Sequence, residues 1–305
     1  MKIKEKAYHI PVMLAESLEG LAINPNGIYV DVTFGGGGHS RAIFKNLQNG
    51  RLISFDQDID AKINTWSADN FHFVHDNFSQ ITNNLKLLGI SKVDGIIADL
   101  GVSSYQFDKP ERGFSIRSNQ PLDMRMNALN PKSALHVVNE FSEEQLTQIL
   151  RNYAELRNAN RIAQKICFER QKASIDTTGK LVSVLQEIAP RRKENQFLAQ
   201  VFQAIRIEVN DELSALRFLL EQADELLVSG GRLIILSYHS LEDRLVKNYF
   251  KKGSFSGQIK KDFFGNVLKP FTEINRKPLI PSESEIILNP RSRSAKLRIA
   301  SRNVR

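Results

Sequence analysis

VDVTFGGGGHS, residues Val30–Ser40, sets four consecutive glycines between a β-branched run and a His-Ser pair. Gly27–Phe34 (GIYVDVTF) is short, β-branched and aromatic, as a buried strand requires. His39–Leu47 (HSRAIFKNL) has helical spacing. A glycine run that directly joins a strand to a helix is poorly explained as a linker. In an open α/β sheet that junction is where ligands bind, beyond the carboxyl ends of the strands.

Outward from this junction the alternation continues. Arg51–Asp56, Phe71–His75 and Val93–Leu100 read as strands. Asp58–Trp66 and Ser79–Leu88, the latter stopped by Gly89, read as helices. Such alternation predicts an α/β fold with a mostly parallel, doubly wound sheet. The pattern breaks at Tyr105–Leu129, which is polar, holds Pro110, Gly113 and Pro121, and has no period. Ser142-Glu-Glu-Gln145 is a capping-box signature that opens a long helical stretch. Its apolar positions are Leu146, Ile149, Leu150, Tyr153 and Leu156, then Ile162, Ile166 and Phe168. A further helix spans about Gly179–Ile188. The α/β pattern then returns with a helix over Asn210–Leu227 ended by Gly230-Gly231 and a strand over Arg232–Ser237. A helix follows, with Ser240 as N-cap and Asp243 at N3, and Lys296–Ala300 is the last strand. The expected organisation is one α/β domain of residues 1–108 and 205–305, interrupted by an all-helical domain of residues 109–204.

Composition limits the class of protein. The 305 residues are 41% hydrophobic and 25% charged, which suits a globular domain. MKIKEKAYHIPVM has no apolar core for a secretory signal, and no apolar run is long enough to span a bilayer, so a cytoplasmic location and no membrane partner are expected. The one cysteine, Cys167, excludes a disulfide framework and a cysteine-ligated cluster. From Leu241 onward there are 15 Lys+Arg and 6 Asp+Glu, a net of +9, whereas the preceding residues carry a net of −1. Charge so segregated suggests a polyanion partner, with a solvated basic tail as the alternative.

The glycine run fails two familiar patterns. A phosphate-binding P-loop needs Gly-Lys-Ser/Thr where His39-Ser40 stands. A dinucleotide fingerprint needs a third small residue where Ser40 stands. The remaining candidate is the S-adenosylmethionine loop of class I methyltransferases. Asp31 would then hold the loop or the methionine amine. Asp56, ending the second strand, would accept hydrogen bonds from ribose hydroxyls. His75–Phe78 would flank the adenine, with Phe78 stacking. Asp99, ending the fourth strand, would lie near the transferred methyl group.

Eight segments resemble one family. They are HIPVML, VDVTFGGGGHS, DLGVSS (Asp99–Ser104), ERGFS (Glu111–Ser115), PLDMRM (Pro121–Met126), FQAIRIEVNDEL (Phe202–Leu213), GGRLIILSYHSLEDRLVK (Gly230–Lys247) and NPRSRSAKLR (Asn289–Arg298). Together they are similar to the RsmH (MraW) family, the bacterial 16S rRNA cytosine-N4 methyltransferases. The resemblance implies a class I, Rossmann-like methyltransferase fold with an inserted helical domain. It implies S-adenosylmethionine as donor and a decoding-centre cytidine of 16S rRNA in the small ribosomal subunit as acceptor. It carries donor-site roles onto Gly37, Gly38, His39, Asp56, Phe78, Asp99 and Gln106.

The residue inventory agrees with amine methylation. Methylation of a pyrimidine carbon usually needs a cysteine nucleophile, and Cys167 falls mid-helix in the insertion. Radical methylation needs an iron–sulfur cluster that one cysteine cannot hold. An exocyclic amine needs in-line placement and acceptors for its N–H groups. Asp99, or a backbone carbonyl of its turn, is the expected acceptor, with Ser103, Ser104 and Tyr105 shaping the base pocket. Asp99 as a mere turn cap is the alternative. His239 follows the fifth strand, and His39 is expected to begin a helix rather than to titrate. Asp123 and Arg125 form either a loop ion pair or part of an RNA-contact lid. No metal-ligand spacing stands out, so no metal is expected. Arg191–Lys193, Arg291, Arg293 and Lys296 are candidate phosphate contacts. A methyltransferase for DNA or a small molecule, and a non-catalytic RNA-binding assembly factor, are the competing readings. The oligomeric state, a homodimer included, stays open.

Overall fold

The computed structural model describes residues 11–259, 261–265 and 267–304. The first ten residues, with the start of HIPVML, lie outside the described residues. In chain order the elements are α1 (Leu14–Leu21), β1 (Ile28–Asp31), α2 (Gly38–Lys45), β2 (Arg51–Asp56), β3 (Phe71–His75), α3 (Ile81–Leu87), β4 (Val93–Asp99), α4 (Ser104–Asp108), α5 (Ala134–Glu140), α6 (Glu143–Tyr153), α7 (Ala159–Lys172), α8 (Thr178–Gln186), α9 (Glu194–Asn210), α10 (Glu212–Leu226), β5 (Leu227–Ser237), α11 (Ser240–Lys252), β6 (Phe271–Glu273), α12 (Glu283–Leu288) and β7 (Lys296–Arg302). Two compact units result, Met1–Gly101 with Leu213–Arg305, and Val102–Glu212.

The first unit is built on one seven-stranded sheet in the order β3-β2-β1-β4-β5-β7-β6. Strands β1 to β5 are parallel, and β7 runs antiparallel between β5 and β6. This is the class I methyltransferase form of a Rossmann-like sheet. Neighbouring residues on one strand pack into opposite layers. Ile53 and Phe55 join one buried cluster with Leu85, Leu219 and Phe250, while Leu52 joins the other with Leu21 and Ile43. Ile96 and Ile97, and Leu233 and Ile234, divide in the same way. Both faces are dry, so the strands read as continuous apolar runs rather than alternating ones. The winding reverses between β1 and β4, and the glycine junction follows β1 at that reversal. Among the described residues no helix is long and apolar enough to cross a membrane.

Two of the elements read from the sequence take a different form, and α5, α9, β6 and α12 were not read from it. Ile59–Asn64 is a 3₁₀ turn rather than an α-helix, entered through Asp58, whose side chain accepts from Asp60 N–H. The glycines Gly230-Gly231 do not end α10. They lie inside β5, where Leu227 pairs with Val93 and Arg232 already pairs with Gly95. The extra β5 residues bulge out there, and Gly230 adopts φ 79° to allow it.

The second unit is helical. Ser142 and Gln145 close the expected capping box on α6. Leu146, Ile149 and Leu150 of α6 pack with Ile162 and Ile166 of α7, Leu181 and Leu185 of α8, and Val201, Phe202 and Ile205 of α9. Phe168 does not join them. It is two positions beyond Ile166, about 200° round the helix, and lies exposed beneath the Lys172 ammonium, 4.1 Å from its ring centre. The unit begins at Val102 and ends at Glu212, beyond both expected bounds of 109 and 204. α9 is one unbroken helix whose Phe202, Ile205 and Val209 are buried in this core, so residues 205–210 cannot be parted from it.

The PLDMRM segment is part of that core. Leu122, Met124 and Met126 are buried, and Arg125 binds both oxygens of Asp123 at 2.8 and 2.9 Å. Burial alone would raise the Asp123 carboxyl, but the Arg125 hydrogen bonds outweigh it and hold the group below its ordinary value. Buried Asn210 accepts from Met126 N–H at 2.7 Å and donates to Met124 C=O at 2.8 Å. Asn210→Ala orphans both backbone groups and is expected to cost about 2–4 kcal/mol. A urea midpoint equal to the parent's would overturn this.

Candidate active site

The carboxyl ends of β1, β2, β4 and β5 bring together the glycine junction, Asp56, Asp99 and Tyr238. Asp31 ends β1 and is buried. It accepts from Thr33 N–H at 3.0 Å and from Ser40 Oγ at 2.6 Å. Ser54 of β2 lies 2.7 Å from the same Ser40 hydroxyl. Because Ser40 gives its single proton to Asp31, Ser54 donates to Ser40. A serine thus stands where a dinucleotide fingerprint wants glycine because it is the ligand of this carboxylate. Burial pushes the Asp31 carboxyl up, while the His39 charge and the Ser40 and Thr33 hydrogen bonds pull it back.

The glycines divide their work. Gly37 sits at φ 75° as N-cap of α2, and its N–H donates to Phe34 C=O at 2.7 Å. Gly38 is a close approach, since a Cβ there would collide with the Pro11 ring. Val12 C=O, next in that segment, lies 3.1 Å from His39 Nε2. A carbonyl only accepts, so Nε2 carries the proton. The other ring nitrogen, Nδ1, is 3.8 Å from Asp99 Oδ2. His39 lies in the first turn of α2, as its second residue after Gly38, and is buried.

Asp56 accepts from Gly35 N–H at 2.7 Å through Oδ2 and from Asp58 N–H at 2.8 Å through Oδ1. Burial pushes its carboxyl up to about 7 against these two hydrogen bonds. Two backbone donors leave about two of its four acceptor positions free for a ligand. Phe78 follows β3, starts a 3₁₀ turn and leans partly buried on the sheet's core.

Asp99 ends β4. Its N–H donates to Thr33 Oγ1 at 2.6 Å, and its Oδ1 accepts from Tyr238 Oη at 2.6 Å. Burial, then the Asp99 charge, pushes the Tyr238 phenol well up, so it keeps its proton and stays a donor. Sequence reading missed Tyr238. Its signals were its place directly after a buried strand and inside the GGRLIILSYHSLEDRLVK segment. The carboxylates Asp31, Asp56 and Asp99 suit a cationic ligand such as a sulfonium with an ammonium group, and would repel a polyphosphate.

The MraW methylase family model matches residues 6–303. The chain belongs to that family. It is 54% identical over 297 residues to the "Ribosomal RNA small subunit methyltransferase H" of Cytophaga hutchinsonii, covering 97% of this chain and 99% of that one. The protein of the same name from Amoebophilus asiaticus is 53% identical over 297 residues, 97% of this chain and 96% of that one. That from Parabacteroides distasonis is 50% identical over 304 residues, 99% of this chain and all of that one.

Other candidate residues of this methylase are placed differently. Ser103 and Gln106 belong to the helical unit and close a capping box on α4, with Ser103 Oγ accepting from Gln106 N–H and Gln106 Oε1 accepting from Ser103 N–H. Ser104 is the first residue of α4. The N-cap of α11 is His239, paired with Glu242, rather than Ser240 with Asp243. Asp243 instead binds Arg298 at 2.6 Å and Lys296 at 3.3 Å, so the charge of Lys296 is answered within the chain. Arg191–Lys193 and Arg291 and Arg293 are exposed. Cys167 is partly buried against the helical core, where burial pushes its thiol up. Because Pro11 fills the space beside Gly38, Gly38→Ala is expected to lower stability by about 1–3 kcal/mol. An unshifted thermal midpoint would show that Pro11 yields freely.

Proposed function

We propose that this methylase transfers a methyl group from S-adenosylmethionine to the N4 amine of a decoding-centre cytidine in 16S rRNA of the small ribosomal subunit, in the cytoplasm. The observation that carries the site is Asp99, a carboxylate at the sheet's switch point with one oxygen held by Tyr238. The acceptor is supported by the name shared by relatives of about half-identical sequence along the whole chain.

Gly37, Gly38 and His39 would hold the methionine end of the donor, Asp56 the ribose hydroxyls and Phe78 the adenine, with Asp99 and Gln106 as the further donor-site residues. Ser103 and Ser104 would border the base. When bound, S-adenosylmethionine supplies a methyl carbon on a sulfonium sulfur, which keeps the bonding electron pair as the amine attacks. Asp99 accepts an N–H hydrogen bond from that amine and stabilises the positive charge that builds on nitrogen, which then releases its extra proton to solvent. Tyr238 fixes the carboxylate rotamer, so Asp99 presents an acceptor without first reorganising. The target base must leave its stack to reach this edge.

Labelled S-adenosylmethionine is expected to mark rRNA in small subunits, and no label in subunits or free rRNA would sink the reading. Asp99→Asn is expected to slow transfer about a hundredfold to a thousandfold while donor binding by calorimetry weakens far less. Full activity of that variant would return Asp99 to the role of a turn cap.

The pH dependence follows from Asp56. Ribose hydroxyls donate to the ionised carboxylate, and the free protein holds the acid form below about pH 7. Donor affinity is therefore expected to rise about tenfold from pH 6 to pH 8 and to level above that. Asp56→Asn should remove this slope and weaken binding. Identical pH profiles for parent and variant would refute the ribose assignment.

A further inference from the structure

We infer that the turn between Lys261 and Val267 is a stacking platform for unpaired bases of the RNA substrate. This rests on ribosomal RNA being the substrate. Lys261 and Val267 form an antiparallel bridge, and the turn is closed by Phe264 N–H to Asp262 Oδ1 at 2.9 Å and Gly265 N–H to Asp262 C=O at 3.1 Å. At its tip Phe263 and Phe264 are 98% and 84% exposed. Their rings stand edge to face, with centres 5.7 Å apart. Ile259 and Leu268 flank them, also exposed.

The surroundings select the partner. Residues 247–277 contain eight Lys+Arg and two Asp+Glu. A second copy of this chain would bring two such basic segments together. A polyanion that also offers flat apolar faces meets both demands at once, and single-stranded RNA is one. Aromatic rings in a basic setting bind bases by stacking while lysines follow the phosphates, with little demand on sequence.

The position of the turn defines its role. α11 leaves the carboxyl end of β5 and carries the chain back along the sheet. β6 then starts opposite Arg302, one residue past Ser301, whose pair with Arg232 is the β5–β7 pair farthest from the carboxyl end of β5. Arg232 to Ser237 alone spans about 17 Å of strand. The turn therefore lies toward the sheet edge opposite Asp99 and Tyr238. Bases held there are not the target base but a distant stretch of the same RNA. The platform serves binding and leaves the chemistry to the other edge.

The test is Phe263→Ala combined with Phe264→Ala, set beside Phe263→Trp combined with Phe264→Trp. Binding of a labelled single-stranded oligoadenylate is expected to weaken about tenfold or more in the alanine pair and to persist in the tryptophan pair. KM for small subunits should rise in the alanine pair, with kcat, S-adenosylmethionine affinity and the thermal midpoint unchanged. An unaltered KM and RNA affinity would overturn the inference, as would a parent that does not bind oligoadenylate. A loss confined to binding of anionic phosphatidylserine vesicles would overturn it in favour of a lipid surface. A parent that methylates no rRNA would instead defeat the proposed function.

Discussion

The buried carboxylate of Asp31 is the constraint on which the site depends. Four segments meet around it. Ser40 brings in α2, Ser54 brings in β2, and Thr33 links the loop to β4 through the N–H of Asp99. A carboxylate taken out of water is costly unless hydrogen-bonded; these donors and the His39 charge offset part of that cost, and burial still holds the carboxyl above its ordinary value. One residue therefore locks strand spacing, loop path and helix entry, and Asp56 and Asp99 inherit fixed positions.

Around that lock the two sides of the ligand edge differ. Asp56 is half-satisfied by backbone and close to neutral pH in its titration, which suits reversible binding to hydroxyls. Asp99 is tied by Tyr238, which suits a fixed acceptor. Two carboxylates of the same chemical type can thus serve different tasks because their partners differ.

Much of this was legible in the sequence, and the boundary of legibility has a physical cause. The strands could be read because a sheet dry on both faces writes itself as apolar runs. Asp31, Asp56 and Asp99 could be read because they end those runs. The Ser142 capping box could be read because its partners are three residues apart. Tyr238 could not, because its partner Asp99 is 139 residues away and no local period links them. The packing of Pro11 on Gly38 is hidden for the same reason. Local rules also misled. Gly230-Gly231 looks like a helix stop but serves a bulge, and Ser240 looks like a better N-cap than His239, which takes that role with Glu242. Ser103 and Gln106 have the spacing of a capping box, yet their chemistry was read only toward the ligand.

The insertion between β4 and β5 also orders events during synthesis. β4 lies beside β5 through pairs such as Asp99 with Leu236, so its outer edge stays bare until the helical unit has been made. That unit relies on contacts between nearby helices and can form early, whereas the sheet waits for its most distant pairings. β5 brings Tyr238 with it, and β7 then covers the edge of β5. The nascent chain thus carries an open strand edge and a half-built ligand edge together, and the same late segment closes both.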